Sequence, residues 1–193
     1  FVNNLSQAIR RRFTFITVDI PYKRPSNTAW DFNTKLPSLA VKEFRITAES
    51  AALRVARRLA APNVSKIEEV EKELLGYFKG PLSDAITSLF NFLEQVRYSD
   101  GSQRIPHLPI GTAQIIDTLE LFLLRMLQDE IKPDDATPLL DWALSVKIVP
   151  LFDADVVAPD ILREFAESLP APFNKATRRE LLGIAAAGMY FFE

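Results

Sequence analysis

The chain changes character at Pro37, because only the residues after it repeat apolar side chains every three or four positions. From Ser38 to Ala60 the pattern contains no Gly or Pro, which predicts an amphipathic helix. Ala61-Pro62-Asn63 ends this helix. Its apolar positions are Leu39, Val41, Phe44, Ala48, Ala51, Ala52, Val55 and Leu59.

Six further helices follow from the same reasoning. Ser65 and Glu68 have the spacing of a capping box, which predicts a second helix running to about Phe78 and stopping at Gly76 or Gly80-Pro81. A third helix is predicted from about Leu82 to Val96. The sequence SDGSQRIPHLPIG then breaks the pattern.

Residues 112 to 130 are apolar almost all round, which predicts a fourth helix in a central position. Thr137 is predicted to cap a short fifth helix with Pro138 at its first position. The sixth helix should begin near Pro159 and end before Pro170. Thr177 and Glu180 have capping-box spacing and should open or reinforce a last helix that runs to about Phe192.

The predicted fold is therefore all-α, with about seven helices packed as antiparallel hairpins in one domain, residues 38 to 193. Leu119 to Leu144 resembles the junction between two tetratricopeptide or pentatricopeptide repeats, with an apolar helix, an Ile-Lys-Pro-Asp turn and a following helix. This resemblance implies a helical-repeat fold, with an irregular bundle as the alternative. Pro106, Pro109 and Pro150 interrupt the spacing, so the RNA-reading positions of those families are not carried over.

Residues 1 to 37 are predicted to form an extended arm. Apolar and polar residues partly alternate from Arg12 to Ile20, and prolines then prevent regular structure. An isolated strand is unstable in water, so the arm must wrap along its own helices or cross to a partner. We expect the second arrangement, with Phe13, Phe15, Val18, Ile20, Tyr22, Trp30 and Phe32 contacting the partner.

Residues 1 to 80 carry a net positive charge and residues 81 to 193 a net negative charge. Residues 1 to 80 contain 14 Lys/Arg and 8 Asp/Glu, whereas residues 81 to 193 contain 9 and 17. The strongest basic patch combines Arg10, Arg11, Arg12, Arg54, Arg57 and Arg58. It could meet RNA phosphates or anionic lipid headgroups. The favoured alternative is pairing with the acidic part of the chain or with another subunit.

Residues suited to catalysis are scarce. The chain has no Cys, and its one His, His107, lies between two prolines, where a loop or packing role is expected. Phosphate-binding loops and the nucleophile elbow are missing. Asp153 to Glu164 has acids at calcium-hand positions, but Val157, Ala158 and Pro159 occupy positions that need other residues. We predict no cofactor, no metal and no enzymatic activity, and rank a carboxylate-dependent enzyme last.

The C-terminal residues Met189, Tyr190, Phe191 and Phe192 continue a helix rich in small residues, which is either a core helix or a docking surface on a neighbouring or membrane subunit. No apolar run reaches the roughly 18 residues of a transmembrane helix. The Arg-rich, acid-poor LSQAIRRR near the start favours a processed mitochondrial protein, with a truncated or cytoplasmic chain as the alternative.

These patterns together predict a non-catalytic accessory or scaffold subunit of a larger assembly, such as a mitochondrial respiratory-chain complex, ATP synthase or ribosome. Its partners would be the other protein subunits. The alternative is an RNA-binding helical-repeat protein.

Overall fold

The computed structural model describes residues 28–32, 38–99, 105–152 and 157–189, with side chains up to Ala187. Seven α-helices and two short 3-10 turns, and no strand, make up the regular structure of these ranges, so the predicted all-α class is confirmed. The helices are α1 (Leu39–Ala60), α2 (Val64–Lys79), α3 (Ser83–Arg97), α4 (Thr112–Gln128), α5 (Thr137–Lys147), α6 (Pro159–Ser168) and α7 (Ala176–Met189). The 3-10 turns are Pro133–Asp135 and Val149–Leu151.

The hairpin of α1 and α2 is closed by Asn63. Its side chain accepts a hydrogen bond from the backbone N–H of Lys66 at 3.1 Å, which satisfies one of the free amides at the start of α2. The predicted Ser65–Glu68 capping box is therefore wrong, because Ser65 already lies inside the helix. Helix α2 continues through Gly76 and ends at Lys79, with Gly80 as its C-cap.

Helix α3 packs against both early and late parts of the described chain, because aromatic side chains on its different faces contact different helices. Phe90 packs edge to face against Phe44 of α1, with ring centroids 4.9 Å apart. Phe92 lies 6.0 Å from Phe165 of α6 and 5.5 Å from Phe173, which follows that helix. Both faces of α3 are thus buried, and one continuous core runs through the described part of the chain.

Helix α4 packs between α1 and α5, in the central position that its apolar sequence predicts. It ends at Gln128, two residues before the predicted end, because Glu130 adopts a left-handed φ of 53°. The N–H of Ile131 then donates to Met126 O at 2.9 Å, and that of Glu130 to Leu127 O at 3.3 Å. This pair of bonds is a Schellman motif, which usually has Gly at the left-handed position.

The last three helices form a subassembly in which α7 packs on both α5 and α6. Helix α5 includes Thr137, so its cap is Ala136 and the predicted Thr137 cap is wrong by one residue. Helix α6 begins at Pro159 and ends before Pro170, as predicted.

Helix α7 begins against a buried carboxylate of α5. Asp141 accepts hydrogen bonds from the N–H groups of Ala176 and Thr177 at 2.7 and 3.0 Å. Thr177 is therefore the second residue of the helix, and the predicted Thr177–Glu180 capping box does not form its start. The Asp141 side chain, 35 residues from Ala176 in the sequence, takes the place of a local cap because α5 and α7 pack together.

Candidate interaction surfaces

Arg54 and Arg58 of the predicted basic patch bind carboxylates of α4. Arg54 Nη1 lies 2.8 Å from Asp117 Oδ1 and 3.3 Å from Glu120 Oε2. The hydrogen bond that it donates to Glu120 raises the pKa of the Arg54 guanidinium. Both arginines are thus paired with the acidic part of the chain, which is the alternative favoured from the sequence.

The contact of Arg58 with Glu120 is an ion pair without hydrogen-bond geometry. Arg58 Nη2 is 2.7 Å from the buried Oε1, yet this oxygen accepts no hydrogen bond. The two arginines and two carboxylates line a groove of about 290 Å³ together with Leu121, Leu124 and Lys147. These ion pairs join α1 to α4, and the charges of Arg54 and Arg58 are largely neutralised by the two carboxylates.

Arg57 differs from its two neighbours. It is exposed on α1, and no ion pair or hydrogen bond of its side chain is found within the described ranges. Arg10, Arg11 and Arg12 lie outside the described residues. The structure therefore brings Arg54 and Arg58 together at one groove and leaves Arg57 turned toward solvent.

The described part of the arm, residues 28–32, lies on the chain's own helices. Trp30 packs against Phe44 and Phe90 with centroid distances of 5.8 and 5.3 Å, and its Nε1 donates to Asn91 Oδ1 at 2.8 Å. Phe32 packs on Phe44 at 4.6 Å. For these two aromatics the arrangement is the one we did not favour, in which the arm wraps along its own body.

The remaining predicted arm contacts, Phe13, Phe15, Val18, Ile20 and Tyr22, lie outside the described residues. So do Tyr190, Phe191 and Phe192 of the predicted C-terminal docking surface, and the side chain of Met189 is not described. Leu181 and Ala185 of α7 are buried in the core, whereas Gly183, Ala186 and Ala187 are exposed. The described part of α7 therefore has both a core face and an outer face of small residues.

A buried polar cluster that the sequence analysis missed lies between α1 and α3. Arg97 donates two hydrogen bonds to Glu43 and a third, from Nε, to Ile110 O at 2.8 Å. Thr112 donates to Glu43 Oε1 at 2.9 Å. Arg97 lies in the same buried row of α3 as Ile86, Phe90 and Leu93. A charged residue in that apolar row was the sequence signal that could have revealed this cluster.

The residues considered for chemistry do not converge. His107 is exposed in the connection before α4, as the loop role implies. Asp153 and Asp155 lie outside the described residues, and Asp160 and Glu164 are exposed on α6. Across the ranges that the structure describes, no group of three His, Asp or Glu side chains could hold a metal ion.

Six large apolar side chains are exposed among the described residues. Two of them, Leu39 and Ile46, are 48% and 53% exposed and lie on the outer face of α1. A separation of seven residues is two helical turns, so they lie one above the other. The other four are Leu59, Val64, Val146 and Leu151.

Among the described helices, none is long and apolar enough to cross a bilayer. Comparison of the chain with protein-family models, with curated proteins and with solved structures returns no match.

Proposed function

We propose that the protein is a non-catalytic accessory or scaffold subunit that binds another protein subunit through the outer face of α1. The observation that carries this proposal is the alignment of Leu39 and Ile46, each about half exposed, on the longest helix of the described chain. Lys42 and Glu49 are exposed on the same helix and would form a polar border. An apolar centre with a polar border is the usual organisation of a protein interface.

The occupant of this face is a partner subunit with an apolar surface. Burying the exposed halves of the two side chains would contribute about 2 kcal/mol, or about thirtyfold in affinity. The RNA-binding alternative receives no comparable support, because Arg54 and Arg58 are already paired with Asp117 and Glu120. For the location we propose a mitochondrial assembly, on the basis of the Arg-rich LSQAIRRR segment.

The test is co-purification of the tagged full chain from its native cells in high salt, with the double variant L39Q/I46Q beside it. The wild type should retain a partner in fixed stoichiometry, and the double variant should lose it while keeping its melting temperature. The matched control is Val146→Gln, since Val146 is 45% exposed on α5. A wild type that purifies alone, or a double variant that retains the partner, would overturn the proposal.

A further inference from the structure

The tip of the α1–α2 hairpin, residues 57–66, is the most solvent-exposed apolar feature of the described chain. All of its residues except Ala60 are exposed. Leu59 is 52% exposed and Val64 is 66% exposed, the highest value among the large apolar side chains. The exposed Ala61 and Pro62 between them extend the apolar surface. Turns usually carry polar residues, and contiguous exposed apolar surface marks protein or membrane interaction sites.

Basic residues surround the apolar tip. Arg57 and Arg58 precede Leu59, and Lys66 follows Val64, while no acidic residue occurs from Ser50 to Ile67. Lys147 lines the same groove as Arg58, and the two carboxylates of that groove, Asp117 and Glu120, pair with Arg54 and Arg58. The nearest acids on α2, Glu68 and Glu69, begin one helical turn, or about 6 Å, behind Val64.

The shape and charge of this tip fit a lipid surface better than a protein groove. Nine of the ten residues of the tip are exposed, so a rigid partner would need a cavity that encloses them, whereas acyl chains adapt to any shape. Arg and Lys beside buried apolar side chains can place their charged ends among lipid phosphates. Glu68 and Glu69 would limit insertion to the tip.

We propose that the α1–α2 hairpin tip inserts into the surface of a bilayer that contains anionic lipid. Leu59 and Val64 enter the acyl boundary, and Arg57 and Lys66, which form no ion pair in the described ranges, bind the headgroups. The contact is peripheral, and reversible like other interfacial anchors of small apolar area. The membrane contact uses a surface separate from Leu39 and Ile46. Its failure would therefore leave the proposed subunit contact untouched, and the reverse also holds.

The experiment is sedimentation of the full chain with vesicles of phosphatidylcholine alone and of phosphatidylcholine with phosphatidylserine. The wild type should bind the anionic vesicles and lose binding as salt rises. The variant L59S/V64S should bind them at least about tenfold more weakly. The variant R57Q/K66Q should lose about tenfold or more on anionic vesicles, with the loss shrinking at high salt.

The matched control is Val146→Ser, because Val146 is 45% exposed but lies on α5 and belongs to neither proposed surface. All three variants should melt like the wild type, since the side chains are exposed. Absence of binding to anionic vesicles, or an equal loss in V146S, would overturn the proposal. It would also be overturned if R57Q/K66Q lost binding to single-stranded RNA while L59S/V64S bound vesicles like the wild type.

Discussion

Arg97 of α3 and Glu43 of α1 form a paired ionic contact inside the bundle, with both Nη–Oε distances at 2.9 Å. The two side chains are 4% and 9% exposed, so neither charge is solvated by bulk water. The bonds from Arg97 to Ile110 O and from Thr112 to Glu43 join the connection before α4 to the same cluster. The cluster thereby holds α1, α3 and the start of α4 in one arrangement.

Removal of either charge should strongly destabilise the fold. We expect Glu43→Leu or Arg97→Met alone to lower the free energy of unfolding by about 3–5 kcal/mol, because the partner charge stays buried and unpaired. The double variant should lose less than the sum of the two, since no unpaired charge is left. Urea unfolding of the three variants measures these values, and strict additivity would contradict a direct coupling.

Tyr98 should make stability depend on pH in the alkaline range. Burial raises the pKa of this phenol above its ordinary value of about 10, with smaller effects from Arg97, Glu43 and Glu94. The pKa of Tyr98 is higher in the folded than in the unfolded protein. Its contribution to the free energy of unfolding is therefore fully present below about pH 10 and is lost as the pH rises through the folded pKa. The Tyr98→Phe variant should therefore show a smaller alkaline loss than the wild type.

Tyr77→Phe tests the same linkage at a second site and should also show a smaller alkaline loss than the wild type. The pKa of Tyr77 is also raised, chiefly by the hydrogen bond that it donates to Glu73 on the surface of α2. Tyr98→Phe also removes a buried hydroxyl that has no hydrogen-bond partner in the described ranges, so it should not destabilise at neutral pH. A clear loss of stability in Tyr98→Phe at neutral pH would contradict the assigned environment.

The arm should contribute to stability through its described residues. Trp30→Ala should lower the free energy of unfolding by about 2 kcal/mol, because the half-buried ring packs on Phe44 and Phe90. Deletion of residues 1 to 37 should cost at least as much. Deletion of residues 1 to 27 is the control, since it retains Trp30 and Phe32. Equal melting temperatures for the two deletions would show that these aromatics are dispensable.

Glu130 is a position where Gly should stabilise the protein. Its φ of 53° strains any side chain, whereas Gly adopts this conformation freely. We expect Glu130→Gly to raise the free energy of unfolding by up to about 1 kcal/mol. Glu130→Ala removes the same charge without relieving the backbone, so thermal unfolding should show no such gain for it. Equal values for Gly and Ala would argue against strain at this turn.

The helices were predictable from the sequence because each one needs only its own apolar periodicity. The start of α6 at Pro159 and the end of α1 before Pro62 depend on local backbone chemistry and were found. The cap of α7 was missed because Asp141 is 35 residues away from Ala176. The Glu43–Arg97 pair joins residues 54 positions apart, so it depends on which helices pack together.

The residues of the candidate surfaces could be identified from the sequence by their type, but the contacts and exposure of their side chains could not. Arg54 and Arg58 were identified as basic, while their partners Asp117 and Glu120 follow from the packing of α1 on α4. Trp30 looked available to a partner because no local pattern reveals the aromatic surface that Phe44 and Phe90 present. The exposure of Leu59 and Val64 likewise depends on where the hairpin projects.

The capping of α7 by Asp141 has a consequence for how the protein is made. A ribosome releases α5 before α7, so the carboxylate that receives the amides of Ala176 and Thr177 leaves the exit tunnel first. The first turn of α7 would find its acceptor in a subassembly that has already left the tunnel. A chain released before Ala176 would leave this carboxylate without those two amides, and α5 and α6 would lack the helix that packs on both.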